Sequence, residues 1–311
     1  MSNYFNSLNE SEKKSQLSKC RFMNIDEFQN ENNILNSKKT DIMELSNVGF
    51  ISTKEALKDT VHDIHNFMRN NGGGYGMGAL KVFNVLYSLY KLEEEELLEQ
   101  CGIDIKFTEL REYADKPDGG AFIKPKIDEY VDILYNNDEL RRFLYHEVSN
   151  NISETQWTFF IKKMDIVKSL ENTGEQLCGK IYEYFIGRDK SAIEELGAYF
   201  TNRHIVNFIY QDLLKDVIKL EDDGTIPSMI DMFGGSGGFT VGYIDFIKNE
   251  LKLEINWKDN INKVYHFDMN EDVIKSAAFE LFCLTKELPK MCTSRFEDGG
   301  NIGYRNSFTF D

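Results

Sequence analysis

Apolar positions along the chain change rhythm twice. Up to about residue 50 they are sparse among Asn, Ser, Lys and Glu, a composition that cannot bury enough surface to offset the entropy of ordering, so residues 1–50 are expected to be a polar, mobile leader. From Thr53 a helical spacing sets in: Ala56, Leu57, Val61, Ile64 and Met68 share one face, and Leu80, Val82, Phe83, Leu86, Leu89 and Tyr90 share another. Two packed helices joined by the run GGGYG are predicted. Its Gly74-x-Gly76-x-Gly78 follows a helix rather than a strand and lacks the later glycine of a dinucleotide fingerprint, which makes it a turn rather than a phosphate loop. Further helices are predicted over 127–145 and 154–170, the second opening with Ser153-Glu154-Thr155-Gln156, a capping box that satisfies two backbone amides reciprocally. Residues 51–190 therefore read as a helical domain.

After Gly197 short apolar runs alternate with amphipathic helices, the signature of an α/β domain with a parallel sheet over residues 191–311. Strands are predicted at 229–232, 264–267 and 290–293, with 307–310 as an incomplete fourth. Between the second and third, Val273, Ala277, Leu281 and Leu284 stripe a helix that Asn270 can cap, with Glu271 and Asp272 in its first turn where they favour the helix dipole.

Composition narrows the function classes. No run approaches the roughly 20 apolar residues of a membrane helix, and the polar start MSNYFNSLNESEKKSQ has no signal-peptide core, so a cytoplasmic protein without a membrane association is expected. Cys20, Cys101, Cys178, Cys283 and Cys292 form no C-x-x-C pair and are read as reduced thiols; His62 and His65 lack further ligands, so no metal site is expected. The formal charge is -16, from 36 basic against 52 acidic residues, and the acidic excess is spread over both halves. Phosphate neutralisation supplies most non-specific DNA affinity, so if DNA is the substrate another segment or subunit is expected to hold it.

The strongest local signal is DMFGGSGGF at 231–239, where an apolar strand turns into the helix carrying Val241, Ile244 and Ile247. Glycines let the backbone approach a ligand, and the helix start offers amides to a negative group. Downstream, Val264-Tyr265-His266-Phe267-Asp268 is an apolar strand ending in a carboxylate suited to ribose hydroxyls. A nicotinamide site would place its acid about 20 residues after the glycines and complete G-x-G-x-x-G. Thr240 stands at the last glycine position and Asp268 comes later, which favours another adenosine-bearing cofactor.

The segment Gly197-Ala198-Tyr199-Phe200-Thr201-Asn202-Arg203-His204-Ile205-Val206 resembles motif X, G-x-(Y/F)-(Y/F)-T-P-R-x-I-V, of the gamma-class adenine DNA methyltransferases, particularly the modification subunits of type I restriction systems. The run 231–239 is similar to their motif I, D-P-x-C-G-S-G-G-F, and Gly179-Lys180-Ile181-Tyr182-Glu183-Tyr184-Phe185 resembles their G-x-x-Y-E-Y helix. The resemblance implies a helical domain followed by the first half of a Rossmann-like domain that binds S-adenosylmethionine. It implies that Ala198, Tyr199, Phe200, Thr201, Asn202 and Arg203 line the cofactor site, with Thr201 near the methionine carboxylate. Ser236, Gly237 and Gly238 would wrap the methionine portion, Asp231 would face its ammonium group, and Asp268 would hold the ribose. Glu297 or Asp298 would approach the adenine.

This sequence departs from the pattern at Asn202 and Met232, where the family has proline, and at Gly234, where it has cysteine. The larger departure is that Pro117, Pro125, Pro227 and Pro289 are its only prolines, none adjacent, so the (N/D/S)-P-P-(Y/F) loop that holds a flipped adenine is missing. Since Ser307-Phe308-Thr309-Phe310-Asp311 resembles the opening of the family's fourth strand, that loop is expected beyond Asp311. The resemblance thus implies an N6-adenine methyltransferase piece, inactive alone, that reaches DNA through a specificity subunit or a C-terminal segment, in a homo- or hetero-oligomer. Two alternatives stay open: a catalytically dead assembly module on the same fold, and a methyltransferase of protein glutamine side chains.

Overall fold

The computed structural model describes residues 77–171, 203–292 and 300–305, with positions 62, 63, 65, 66, 70, 201 and 307. The chain divides into two compact units, Met1–Glu55 and Ala56–Asp311, and the described residues all belong to the second. The expected leader, the glycine-rich turn at 71–76, the 179–185 helix, the 190/191 domain boundary and the strand residues 308–310 lie outside the described residues, as does most of the helix predicted from Ala56 to Met68.

Five helices build the first part: α1 Met77–Glu94, α2 Phe107–Ala114, α3 Gly119–Asn136, the single turn α4 Asp138–Arg141, and α5 Glu154–Glu171. Helix α1 is apolar around much of its circumference and buries Leu80, Val82, Phe83, Val85, Leu86 and Leu89, as expected of a helix at the centre of a core. Around it α3 turns inward Ile123, Ile127, Tyr130 and Leu134, and α5 Trp157, Phe160, Ile161 and Met164, each at the three-and-four spacing of one helical face. The buried Tyr130 hydroxyl lies 2.9 Å from Ser88 Oγ, which meets the need for a partner. The capping box forms as predicted: Ser153 N donates to Gln156 Oε1 at 2.6 Å and Gln156 N to Ser153 Oγ at 3.3 Å. The continuous helix predicted over 127–145 is instead broken at Asn137. Its backbone turns extended, and its side chain accepts the amides of Glu139 and Leu140, so a local cap outcompetes helix continuation.

In the second part α6 Arg203–Phe208 widens into a π turn, Ile209–Leu213, and is followed by β1 Met229–Asp231, α7 Gly238–Asp245, α8 Trp257–Asn260, β2 Val264–Asp268, α9 Glu271–Thr285 and β3 Ile302–Tyr304. The three strands form a parallel sheet in the order β1-β2-β3, with Asp231 beside His266 and Asp268 beside Tyr304. The chain is thus a mixed helical structure with a small parallel sheet, compatible with an α/β methyltransferase domain. The third strand corrects the prediction at 290–293: among its described residues, 290–292, Met291 makes an isolated bridge to Ile302, and residue 293 lies outside the described residues. The strand lies in the glycine-rich stretch because it must run close to Cys292: a Cβ at Gly303 would stand 2.7 Å from Cys292 Cβ.

Helix α9 joins the two parts. Asn270 caps it as predicted, accepting the amides of Asp272 at 3.0 Å and Val273 at 3.2 Å. Its apolar faces meet both layers, with Phe279 edge-on to Tyr87 of α1 at 6.2 Å and Phe282 edge-on to Phe143 at 5.7 Å. Lys275 Nζ donates to Tyr145 O at 2.9 Å and Lys286 pairs with Glu95. Among the described residues no helix is long and apolar enough to cross a membrane.

Candidate functional site

Strands β1 and β2 end side by side, each in a carboxylate, and the glycine run crosses between them before opening into α7. Asp231 Oδ1 accepts the Phe233 amide at 3.2 Å, which starts the turn. The Gly234 amide donates to Phe267 O at 2.9 Å and the Gly235 amide to Asp268 Oδ2 at 2.9 Å, so the run is pinned to the end of β2. The other Asp268 oxygen accepts the Asn270 amide at 2.9 Å. One carboxylate therefore ties together the glycine turn and the start of α9.

Two glycines are required by conformation. Gly235 has φ +52° and Gly237 φ +87°, the left-handed region that side chains disfavour. At Gly237 a Cβ would also meet Val241 Cγ2 at 3.0 Å and Ala277 Cβ at 3.1 Å. At Gly234 the constraint is a close approach, because a Cβ would fall 2.2 Å from His266 Cε1. His266 is buried beneath the turn, with Nδ1 2.9 Å from Thr240 Oγ1 and Nε2 3.2 Å from Gly235 O. Burial pushes its pKa below the ordinary histidine value, while Asp231 and Asp268 pull the other way.

Helix α6 lies against α7 so closely that a Cβ at Gly242 would stand 2.7 Å from Val206 Cγ1, and Tyr210 Oη donates to Phe239 O at 2.9 Å. A cleft of about 430 Å³ runs beside β1, lined among others by Tyr210, Met229, Ile230, Asp231, Phe239 and Tyr243. At the strand ends Phe233 and Met269 are 60% and 54% exposed, unusual for side chains of their size. Among the described residues no group of three or more His, Cys, Asp or Glu could hold a metal ion.

Residues 173–283 match the family model for N-6 DNA methylases. The methylase match takes in β1, the glycine turn, α7, β2 and most of α9, and it supports an adenine DNA methyltransferase family. No curated protein matches the chain. Within the methylase match the structure brings together Asp231, Ser236, Gly237, Gly238 and Asp268 at one end of the sheet. Thr201 stands two residues before the start of α6 and Arg203 begins that helix, whereas Ala198, Tyr199, Phe200, Asn202, Glu297 and Asp298 lie outside the described residues.

Sequence reasoning passed over His266, Thr240 and Gly234 as a connected set, and also Ser307, whose hydroxyl donates to Met232 O at 2.5 Å. The only available signal was the pairing of two oddities, a glycine where the resembled family has cysteine and a histidine inside an apolar strand.

Proposed function

We propose that this chain supplies the S-adenosylmethionine-binding portion of an adenine-specific (N6) DNA methyltransferase of the type I modification-subunit kind, with β1, β2 and β3 as the first half of a Rossmann-like sheet. The observation that carries this reading is the closure of the glycine turn onto Asp268, which sets a carboxylate 2.9 Å from the Gly235 amide at the strand ends, next to the start of α7.

The residues fit the cofactor in donor set. A carboxylate offers about four acceptor sites, and the amides of Gly235 and Asn270 take one each at Asp268, leaving acceptors for two ribose hydroxyls. The space a Cβ would fill at Gly237 is closed by Val241 and Ala277, so the turn presents backbone rather than side chain to its ligand. Asp231 provides the charge for an ammonium group, and the amides of Ser236 and Gly238 serve the methionine portion, the Gly237 amide being donated within the turn to Gly234 O at 2.9 Å. Ala198 to Arg203 close the site by resemblance. The bound cofactor supplies an electrophilic methyl group, and the chain's own residues hold and orient it.

Methyl transfer rests on holding the target amine in line with that methyl group. The P-P-(Y/F) loop that does so in the resembled family is not among the 311 residues. Transfer is therefore assigned to this chain together with a further segment or a specificity partner, which must also bring the cationic surface that a charge of -16 withholds from DNA.

Calorimetric titration of the full chain with S-adenosylhomocysteine tests the reading. Binding is expected, with Asp268→Ala weakening it about tenfold or more, since a charged hydrogen-bond partner contributes about 1.5–3 kcal/mol. Absence of binding by the unsubstituted chain, or unchanged affinity in the variant, would remove the reading.

A further inference from the structure

Gly235 is held at both of its polar groups by one strand. Its N–H donates to Asp268 and its C=O faces His266, and these two residues are two apart on β2, hence on the same face of the sheet. The hydrogen bonds also fix the state of the imidazole. A carbonyl oxygen can only accept, so Nε2, 3.2 Å from Gly235 O, carries the proton. Nδ1 is then an acceptor, and Thr240 Oγ1 at 2.9 Å, itself fully buried, donates to it. Both ring nitrogens are satisfied in the neutral Nε2–H form.

The peptide that follows is planar and trans, so its N–H points opposite to its C=O. With the Gly235 carbonyl facing His266, the Ser236 amide points away from the imidazole. We propose that His266, as the neutral Nε2–H tautomer supported by Thr240, is a positioning residue of the cofactor site, which sets the Gly235–Ser236 peptide so that the Ser236 amide faces the methionine portion of the ligand. This rests on the reading above. It adds a device absent from the sequence resemblance: the imidazole occupies the space that a side chain at 234 would need, 2.2 Å from where a Cβ would stand, so the glycine at 234 and the histidine at 266 work as one unit.

The full chain, titrated with S-adenosylhomocysteine and observed by nitrogen NMR of its imidazoles, tests the inference. His266→Phe keeps the ring volume and removes both hydrogen bonds, and it is expected to raise the Kd about tenfold, whereas His266→Gln, which can donate to the Gly235 carbonyl, is expected to stay within about threefold of the unsubstituted chain. Should the Phe variant not fold, Thr240→Val leaves the imidazole in place and removes its donor, and a rise in Kd of about fivefold is expected. The NMR signals of His266 are expected to show a protonated Nε2 and an unprotonated Nδ1. An Nδ1–H tautomer, or a folded His266→Phe or Thr240→Val chain that binds as tightly as the unsubstituted one, would overturn the inference and leave the functional reading standing. Failure of the unsubstituted chain to bind would overturn the functional reading itself, and with it the ligand role of His266.

Discussion

The helical part and the sheet part bury polar groups in different ways. Around α1 to α5, side-chain hydrogen bonds mostly serve local needs: Ser153 and Gln156 cap their own helix, and Asn137 caps the next turn. Around β1 to β3 local caps such as Asn270 occur too, but many of the bonds join distant segments. Asp268 reaches the amide of Gly235, His266 reaches Thr240, Asn301 Nδ2 donates to Ile261 O at 2.8 Å, and Ser307 reaches Met232. Exposed apolar side chains divide in the same way. Tyr135 belongs to the helical part, while Ile205, Leu213, Val217, Leu220, Ile230, Phe233 and Met269 all fall in the sheet part. The helical part is organised to be stable, and the sheet part to present a surface.

The strongest test of that division is to damage the seam between the parts. Phe282 is fully buried on α9 against Phe143, and Phe282→Ala is expected to cost about 3–5 kcal/mol. Denaturant melting followed by tryptophan fluorescence should show both parts lost in one transition, since Trp157 reports the helical part and Trp257 the sheet part. Two separate transitions would show that the parts are less dependent on each other than α9 suggests.

A smaller effect separates them by pH. His146, buried with Nδ1 unpartnered, has its pKa lowered from 6.5 to about 3 by burial, with Lys275 and Lys81 adding to the effect. The unfolded chain takes up this proton below pH 6.5 and the folded chain does not until about 3, so stability falls as the pH is lowered through that window. At pH 5 the loss is about 2 kcal/mol, at about 1.4 kcal/mol for each unit of pKa difference. Melting temperatures of the unsubstituted chain and of His146→Leu, measured from pH 7.5 to 5, should converge as the pH falls; parallel curves would show that His146 is protonated in the folded chain.

The smallest expected effect is local. Ser153→Ala removes one half of the capping box and is expected to cost about 1 kcal/mol, without changing S-adenosylhomocysteine affinity. A change in affinity would mean that strain at the start of α5 reaches the glycine turn, and the contrast between local and long-range bonding would fail.

The same contrast explains what could be read in the sequence. Caps at Ser153 and Asn270, the striped helix α9, and the strand-then-carboxylate pattern at Asp231 and Asp268 are written within a few residues, and each appears in the structure as predicted. The third strand was misplaced because Gly300, Asn301 and Gly303 show no apolar alternation: two of these positions are glycine to let the chain run against Cys292, and the third is a buried amide. The break at Asn137 was missed because helical periodicity continues past it. His266 shows in the sequence only as a polar residue inside an apolar strand, since its meaning lies in Thr240 and Gly235, 26 and 31 residues away.

The contact between positions 234 and 266 also has a consequence for how this sequence can change over generations. With the imidazole in place, a side chain cannot enter at 234, because its first carbon would stand 2.2 Å from the ring. A descendant that carries a cysteine there must first replace the histidine, and for a time it carries both an empty space and an unsupported turn. Neighbouring substitutions that share such a space do not add independently. The order of the two steps is therefore fixed, and the intermediate, weaker than either endpoint, is a valley that tends to keep lineages on whichever side they already occupy.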